Sequence, residues 1–172
     1  MNRSPVEQVI RDRLGIDPAA VGESAVAAAL AARMRATGAA TPDTYFPRLA
    51  DTAELDALAD ELVVPETWFF RGGRRMFDAI AGHLARRSAR APDRVARALS
   101  VPCSTGEEPF SLAIALSETG LASDRFRIDA VDISAAHLAR ATAALYSASA
   151  FREPGPDPRP VHFRLTAGRW EL

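Results

Sequence analysis

Two adjacent glutamates, Glu107 and Glu108, follow a lone glycine in the stretch PCSTGEEP (102–109). Asp132 lies 26 residues beyond Gly106, at the end of a second apolar run. A glycine turn followed some 20 residues later by an acid is a nucleoside-binding arrangement: the backbone approaches the ligand and the carboxylate accepts from ribose hydroxyls. The loop is not a phosphate cradle. One glycine is too few, and a pair of glutamates repels a pyrophosphate. The pair would instead attract a cation. Acids in a first helical turn also favour the helix dipole, and one of the two glutamates needs no other explanation.

These residues need a strand–turn–helix frame. VARALSV (95–101) reads as a buried strand, although its alanines are weak strand formers. After the loop a helix runs to about Ser117, then FRIDAVDIS (126–134) reads as a clearer strand. Ser134 caps a further helix through AAHLARATAALY (135–146). Strand, helix, strand, helix predicts a parallel sheet with right-handed crossovers. Ligands bind such sheets at the carboxyl ends of the strands, where the 102–107 loop and Asp132 both fall. EPGPDPRP (153–160) is a proline-rich loop, and VHFRLTAGRWEL (161–172) is compatible with a hairpin around Ala167-Gly168.

The first third has a different grammar. Ser4, Pro5 and Glu7 predict a capped helix start, with Val6, Val9, Ile10 and Leu14 on one face and Gly15 as its stop. A second helix from about Ser24 turns Val26, Leu30 and Met34 inward and closes at Gly38. Thr41-Pro42 opens a short third helix with Tyr45 and Phe46, and Thr52 a fourth with Leu55, Leu58 and Leu62. Residues 1–63 thus read as a helical domain. Residues 64–90 form an aromatic segment, PETWFFRGGRRMF, and a connecting helix, and 91–172 a partial α/β domain.

Composition sets outer bounds. No apolar run reaches the roughly 20 residues that span a membrane, and MNRSPVEQVI carries no signal-peptide core. A single cysteine, Cys103, excludes an internal disulfide framework, so cytoplasm is the default compartment. His83, His137 and His162 are isolated in sequence, so no metal site is expected. Between Arg71 and Arg97 there are eight arginines and two acids, Asp78 and Asp93. That excess suits an anionic partner or simply a solvated helix face.

A phosphate-free adenosine derivative with a positive centre meets both demands of the loop, and S-adenosylmethionine is such a ligand. At this point a family resemblance becomes specific. ETWFFR (66–71), CSTGEEPFSLA (103–113) and AVDIS (130–134) resemble, in order and spacing, motifs of the CheR family of S-adenosylmethionine-dependent methyltransferases. These enzymes esterify glutamates of bacterial chemoreceptors. VVPETWFFR (63–71) and LSVPCSTGEEP (99–109) are most similar to a branch whose members often carry tetratricopeptide repeats further on.

The resemblance implies an α/β fold: an N-terminal all-α helical domain, then the first part of a Rossmann-like methyltransferase domain. The cofactor would be S-adenosylmethionine and the product S-adenosylhomocysteine. Carried over by position, Thr67 and Arg71 contact the cofactor, Glu108 faces its methionine end, and Asp132 holds its ribose. Gly106 lets the backbone turn beneath it. Arg71 is also the catalytic candidate, orienting either the cofactor's or the substrate's carboxylate. Arg33 and Arg35 match the region that docks the cytoplasmic helical bundle of a methyl-accepting receptor. Pro65 departs from the pattern, because enteric members place a cofactor-contacting asparagine there.

The family continues with several further strands. The chain is therefore expected to be an N-terminal portion with a truncated sheet, inactive alone and open to self-association through unpaired edges. The sequence leaves two other readings open. One is a non-catalytic cofactor-binding or interaction module. The other is a nucleic-acid methyltransferase, suggested by the basic stretch and weakened by its lack of interleaved aromatics.

Overall fold

The structure is a computed structural model and describes residues 5–172; the expected cap Ser4 lies outside them. The chain divides into two compact units. The first runs to Val64 and takes in Ile133–Ala135, and the second comprises Pro65–Asp132 and Ala136–Leu172.

The first unit is helical: α1 (Pro5–Leu14), α2 (Pro18–Val21), α3 (Glu23–Thr37), α4 (Pro42–Tyr45) and α5 (Thr52–Leu62). Helix α2 is an addition to the sequence reading, started by Asp17, whose carboxylate accepts from the Ala19 amide. Thr41 caps α4 in a capping box with Thr44, and Asp51 rather than Thr52 caps α5. Val6, Ile10, Val26, Leu55, Leu58 and Leu62 meet in one core, with Leu30 and Met34 packed against it. Tyr45 is fully buried there and donates its hydroxyl to Glu54.

The second unit holds α6 (Arg74–Arg90), β1 (Ala96–Ser100), α7 (Glu107–Glu118), β2 (Phe126–Ala130), all but the first residue of α8 (Ala135–Ala143), β3 (Leu145–Tyr146), α9 (Arg159–His162), β4 (Arg164–Thr166) and β5 (Arg169–Glu171). Strands β1 and β2 pair in parallel, with Ala96 opposite Phe126 and Ser100 opposite Ala130. The sequence reading of β1 as a buried strand is corrected by the period-2 alternation. Ala96 and Ser100 are buried, whereas Leu99 is 64% exposed. On that outer face Arg97 and Arg127 both bind Asp129.

The remaining strands form a separate antiparallel sheet ordered β3-β5-β4. Its β4–β5 hairpin turns at Ala167 and Gly168, both in left-handed conformations. The helix expected through Tyr146 stops at Ala143. Ala144 adopts a φ of 50°, and Tyr146 then pairs with Trp170. Phe69 and Phe70 belong to the core of this unit, with exposures of 1% and 3%. Phe69 stacks on Phe151 and meets Tyr146 and Phe163 edge-on, with ring centres 4.8–5.0 Å away.

Candidate functional site

The loop between β1 and α7 is built on the carboxyl ends of both parallel strands. The Val131 amide donates to the Ser100 carbonyl, and the Cys103 amide to the Val131 carbonyl, at 3.0 and 2.9 Å. The Ser104 amide then donates to Asp132 Oδ2 at 2.7 Å. The Asp132 side chain is 5% exposed, and its other oxygen lies 3.7 Å from His137 Nδ1. The glycine loop and the expected ribose acid are thus joined directly.

Gly106 sits immediately before α7 with a φ of +97°. A Cβ there would lie 2.9 Å from both Ala141 Cβ and the Tyr146 hydroxyl, and 3.1 Å from Phe110. Glycine is therefore demanded by backbone conformation and by protein packing. Tyr146 also donates its hydroxyl to the Thr105 carbonyl at 2.9 Å, holding the loop from below. Burial, and then the nearby Glu107 charge, push the Tyr146 phenol up, so it remains a donor. Burial, followed by the charges of Asp132 and Glu108, likewise pushes the Cys103 thiol up. A protonated, buried thiol is a small packing group rather than a nucleophile.

The two glutamates divide differently from the simplest helix-start reading. Glu107 is 5% exposed, and its Oε2 accepts from the Thr105 hydroxyl at 2.7 Å. Glu108 is exposed, and its Oε1 accepts from Ser100 Oγ at 2.6 Å at the end of β1. Glu107 and Thr67 line a polar cleft of about 210 Å³, with Pro65 beside them. Arg71 does not line it. Its guanidinium donates to the Glu66 carbonyl at 2.6 Å and lies 4.8 Å from the Trp68 ring centre, with the residue exposed.

Arg33 and Arg35, on α3 of the first unit, also differ in placement. Arg33 makes a bidentate pair with Glu54, at 3.0 and 2.8 Å, and Arg35 is exposed.

Ser111 ties the aromatic segment to the loop, a role with no signal beyond its position four residues after Glu107. It is fully buried, donates to the Glu107 carbonyl at 2.6 Å and accepts from the Phe70 amide at 2.8 Å. Phe70 has a φ of 59°, so this acceptor serves an amide held in a sparsely populated conformation. Ser111→Ala strands that amide, and a stability loss of about 2 kcal/mol is expected. Urea unfolding of the variant measures it, and a loss under roughly 0.5 kcal/mol would show the tie to be dispensable.

Residues 65–168 match the CheR methyltransferase family, in its SAM binding domain. The chain belongs to the CheR methyltransferase family. Its relatives include the "Probable biofilm formation methyltransferase WspC" of Pseudomonas putida, 44% identical over 88% of this chain and 36% of the relative. The protein of the same description from Pseudomonas aeruginosa is 35% identical over 96% of this chain and 40% of the relative. A "Chemotaxis protein methyltransferase" of Salmonella typhimurium is 32% identical over 95% of this chain and 56% of the relative. The chain thus spans well under two thirds of the length of these CheR relatives.

S-adenosylmethionine is the ligand named by the CheR domain, and the residues present fit it. Ser104 Oγ is buried and has no hydrogen-bond partner among the described residues, at the point where the loop meets Asp132. A buried hydroxyl without a partner is costly in a finished core and ordinary in a loop that receives a polar ligand. The loop also presents carboxylates, not glycine-cradled amides, which suits a cationic nucleoside. Among the described residues no helix is long and apolar enough to cross a membrane.

Proposed function

We propose that this chain is the N-terminal part of an S-adenosylmethionine-dependent protein-glutamate O-methyltransferase that modifies methyl-accepting chemoreceptors in the cytoplasm. The observation that supports this reading most directly is the Ser104–Asp132 lock. It brings a glycine turn and a ribose-type acid together at the carboxyl ends of two parallel strands.

In this reading Asp132 accepts from the ribose hydroxyls, and Glu108 faces the methionine end. Thr67 and Arg71 hold the cofactor's polar atoms. The exposed, planar guanidinium of Arg71 suits the cofactor's carboxylate, which it can grip with two parallel hydrogen bonds. When bound, S-adenosylmethionine supplies a methyl group made electrophilic by a sulfonium. The acceptor glutamate is ionised at neutral pH, so the protein has no proton to remove. Its task is to align two opposite charges and exclude water from between them, worth several kcal/mol of barrier. Arg35 is the exposed candidate for docking the receptor's helical bundle. Arg33 would have to leave Glu54 to take part.

Calorimetry and methyl transfer test this reading. The natural, longer polypeptide is expected to bind S-adenosylmethionine and S-adenosylhomocysteine and to methylate a receptor cytoplasmic fragment, with RNA as the control acceptor. The 172-residue chain is expected to bind more weakly, since the remainder of the domain is outside it. Methylation of RNA in place of the receptor would sink the reading.

A further inference from the structure

The polar cleft beside the loop carries a charge pattern that no motif announces. Its buried acid is Glu107, anchored on Thr105. Around it stand three cations from separate segments: Arg140 on α8, Arg152 after β3, and Arg169 on β5. Two of them are held in place. Arg169 donates to the Leu145 carbonyl at 3.0 Å. Arg152 lies 4.0 Å from the Trp68 ring centre, and that indole is itself pinned by a 2.6 Å hydrogen bond to Glu153. Arg140 forms no ion pair among the described residues and is exposed.

We propose that this cleft receives the acceptor glutamate, with Arg140 and Arg152 orienting its carboxylate. The proposal rests on the glutamate-methyltransferase reading above. Three guanidiniums against one carboxylate leave the cleft cationic, so an anionic guest is favoured. Glu107 sets the depth. A second carboxylate brought beside it is repelled, so the guest's carboxylate stays with the arginines while positive charge is favoured at Glu107. That is the order of charges a methyl transfer from a sulfonium to a carboxylate requires.

The size agrees. At about 210 Å³ the cleft is smaller than the roughly 300–1,000 Å³ of sites that enclose a whole small molecule, and it suits one side chain. Thr67, from the ETWFFR motif, lines the same space, so an acceptor placed here is next to a residue assigned to the cofactor. The substrate-orienting half of the role first considered for Arg71 then passes to Arg140 and Arg152, and Arg71 keeps the cofactor's carboxylate.

The test uses the natural full-length polypeptide, labelled S-adenosylmethionine and a receptor cytoplasmic fragment. Arg140→Ala, Arg152→Ala and the double variant R140E/R152E are compared with wild type. Each alanine variant is expected to raise the acceptor KM about tenfold, with the cofactor KM and thermal midpoint nearly unchanged. Arg140→Lys, which keeps the charge and loses the fork, is expected to fall between. Because Arg152 packs on Trp68, Arg140 provides the variant least able to disturb folding. Wild-type acceptor KM in both R140A and R140E/R152E, beside a wild type that methylates the receptor, overturns this inference alone. A rise in cofactor KM instead would also overturn it, by giving the cleft to the cofactor. A wild type that binds cofactor and leaves receptor glutamates unmethylated overturns the parent reading, and this inference with it.

Discussion

Gly106→Ala is expected to destabilise the α/β unit by about 3 kcal/mol or more, the largest single effect at the candidate site. Two costs combine. A side chain at a φ of +97° is strained by about 1–3 kcal/mol. The added methyl would also come within 2.9 Å of Ala141 Cβ and the Tyr146 hydroxyl, and overpacking of this kind costs about 1–3 kcal/mol. Relief requires Tyr146 to move, which breaks its bond to the Thr105 carbonyl and frees the loop that carries Ser104. Both tryptophans, Trp68 and Trp170, lie in this unit, so urea unfolding followed by tryptophan fluorescence reports on it directly. A cost below about 1 kcal/mol would mean that the loop relaxes around the methyl and that its packing is not what demands glycine.

Glu54→Ala should have a comparable effect in the helical unit, about 3 kcal/mol at pH 7. Glu54 and Arg33 side chains are 12% and 19% exposed and joined by two hydrogen bonds, and Tyr45 donates to the same carboxylate at 2.8 Å. Removing the acid leaves a largely buried cation and a buried hydroxyl without their partner. The Arg33 hydrogen bond holds the Glu54 carboxyl below its ordinary value, against the opposing effect of burial, with Tyr45 assisting. The sign follows. A carboxyl with a depressed folded-state pKa contributes its stability above the unfolded value, about 4.3, and loses it as pH falls through the lower folded value. The penalty of the variant should therefore be full at neutral pH and shrink in acid below that range. Far-UV circular dichroism is the readout, since this unit has no tryptophan. A penalty independent of pH would show that the ion pair contributes nothing beyond packing. One consequence bears on mutational probes of α3: Arg33→Ala is expected to destabilise the helical unit by taking the bidentate partner from Glu54, whereas Arg35 is exposed.

Much of this molecule is legible along the chain. Gly15 and Gly38 end their helices with positive φ, Pro42 starts one, and Ala167-Gly168 turns the hairpin. These are decisions of backbone sterics and capping within a few residues, so a linear pattern records them. The placement of the loop and Asp132 at the carboxyl ends of parallel strands follows from the strand–helix alternation in the same way. The family motifs are local too, since a motif is by nature a short run of neighbours.

Partnerships across the chain were not legible. Ser104 reaches Asp132 over 28 residues, Tyr146 reaches Thr105 over 41, and Trp68 reaches Glu153 over 85. Which of two adjacent glutamates is buried depended on which way α7 turned its first residue against Thr105. The ion pair that engages Arg33 depended on Glu54 arriving from another helix. The three cleft arginines come from segments with no common pattern, and β3, which sets Tyr146 in place, arose where helical periodicity predicted more helix. Packing brings such groups together through many weak, non-directional contacts summed over the whole unit. No short stretch of sequence carries that sum, which is why the site's scaffold could be read from its residues while the charge pattern inside it could not.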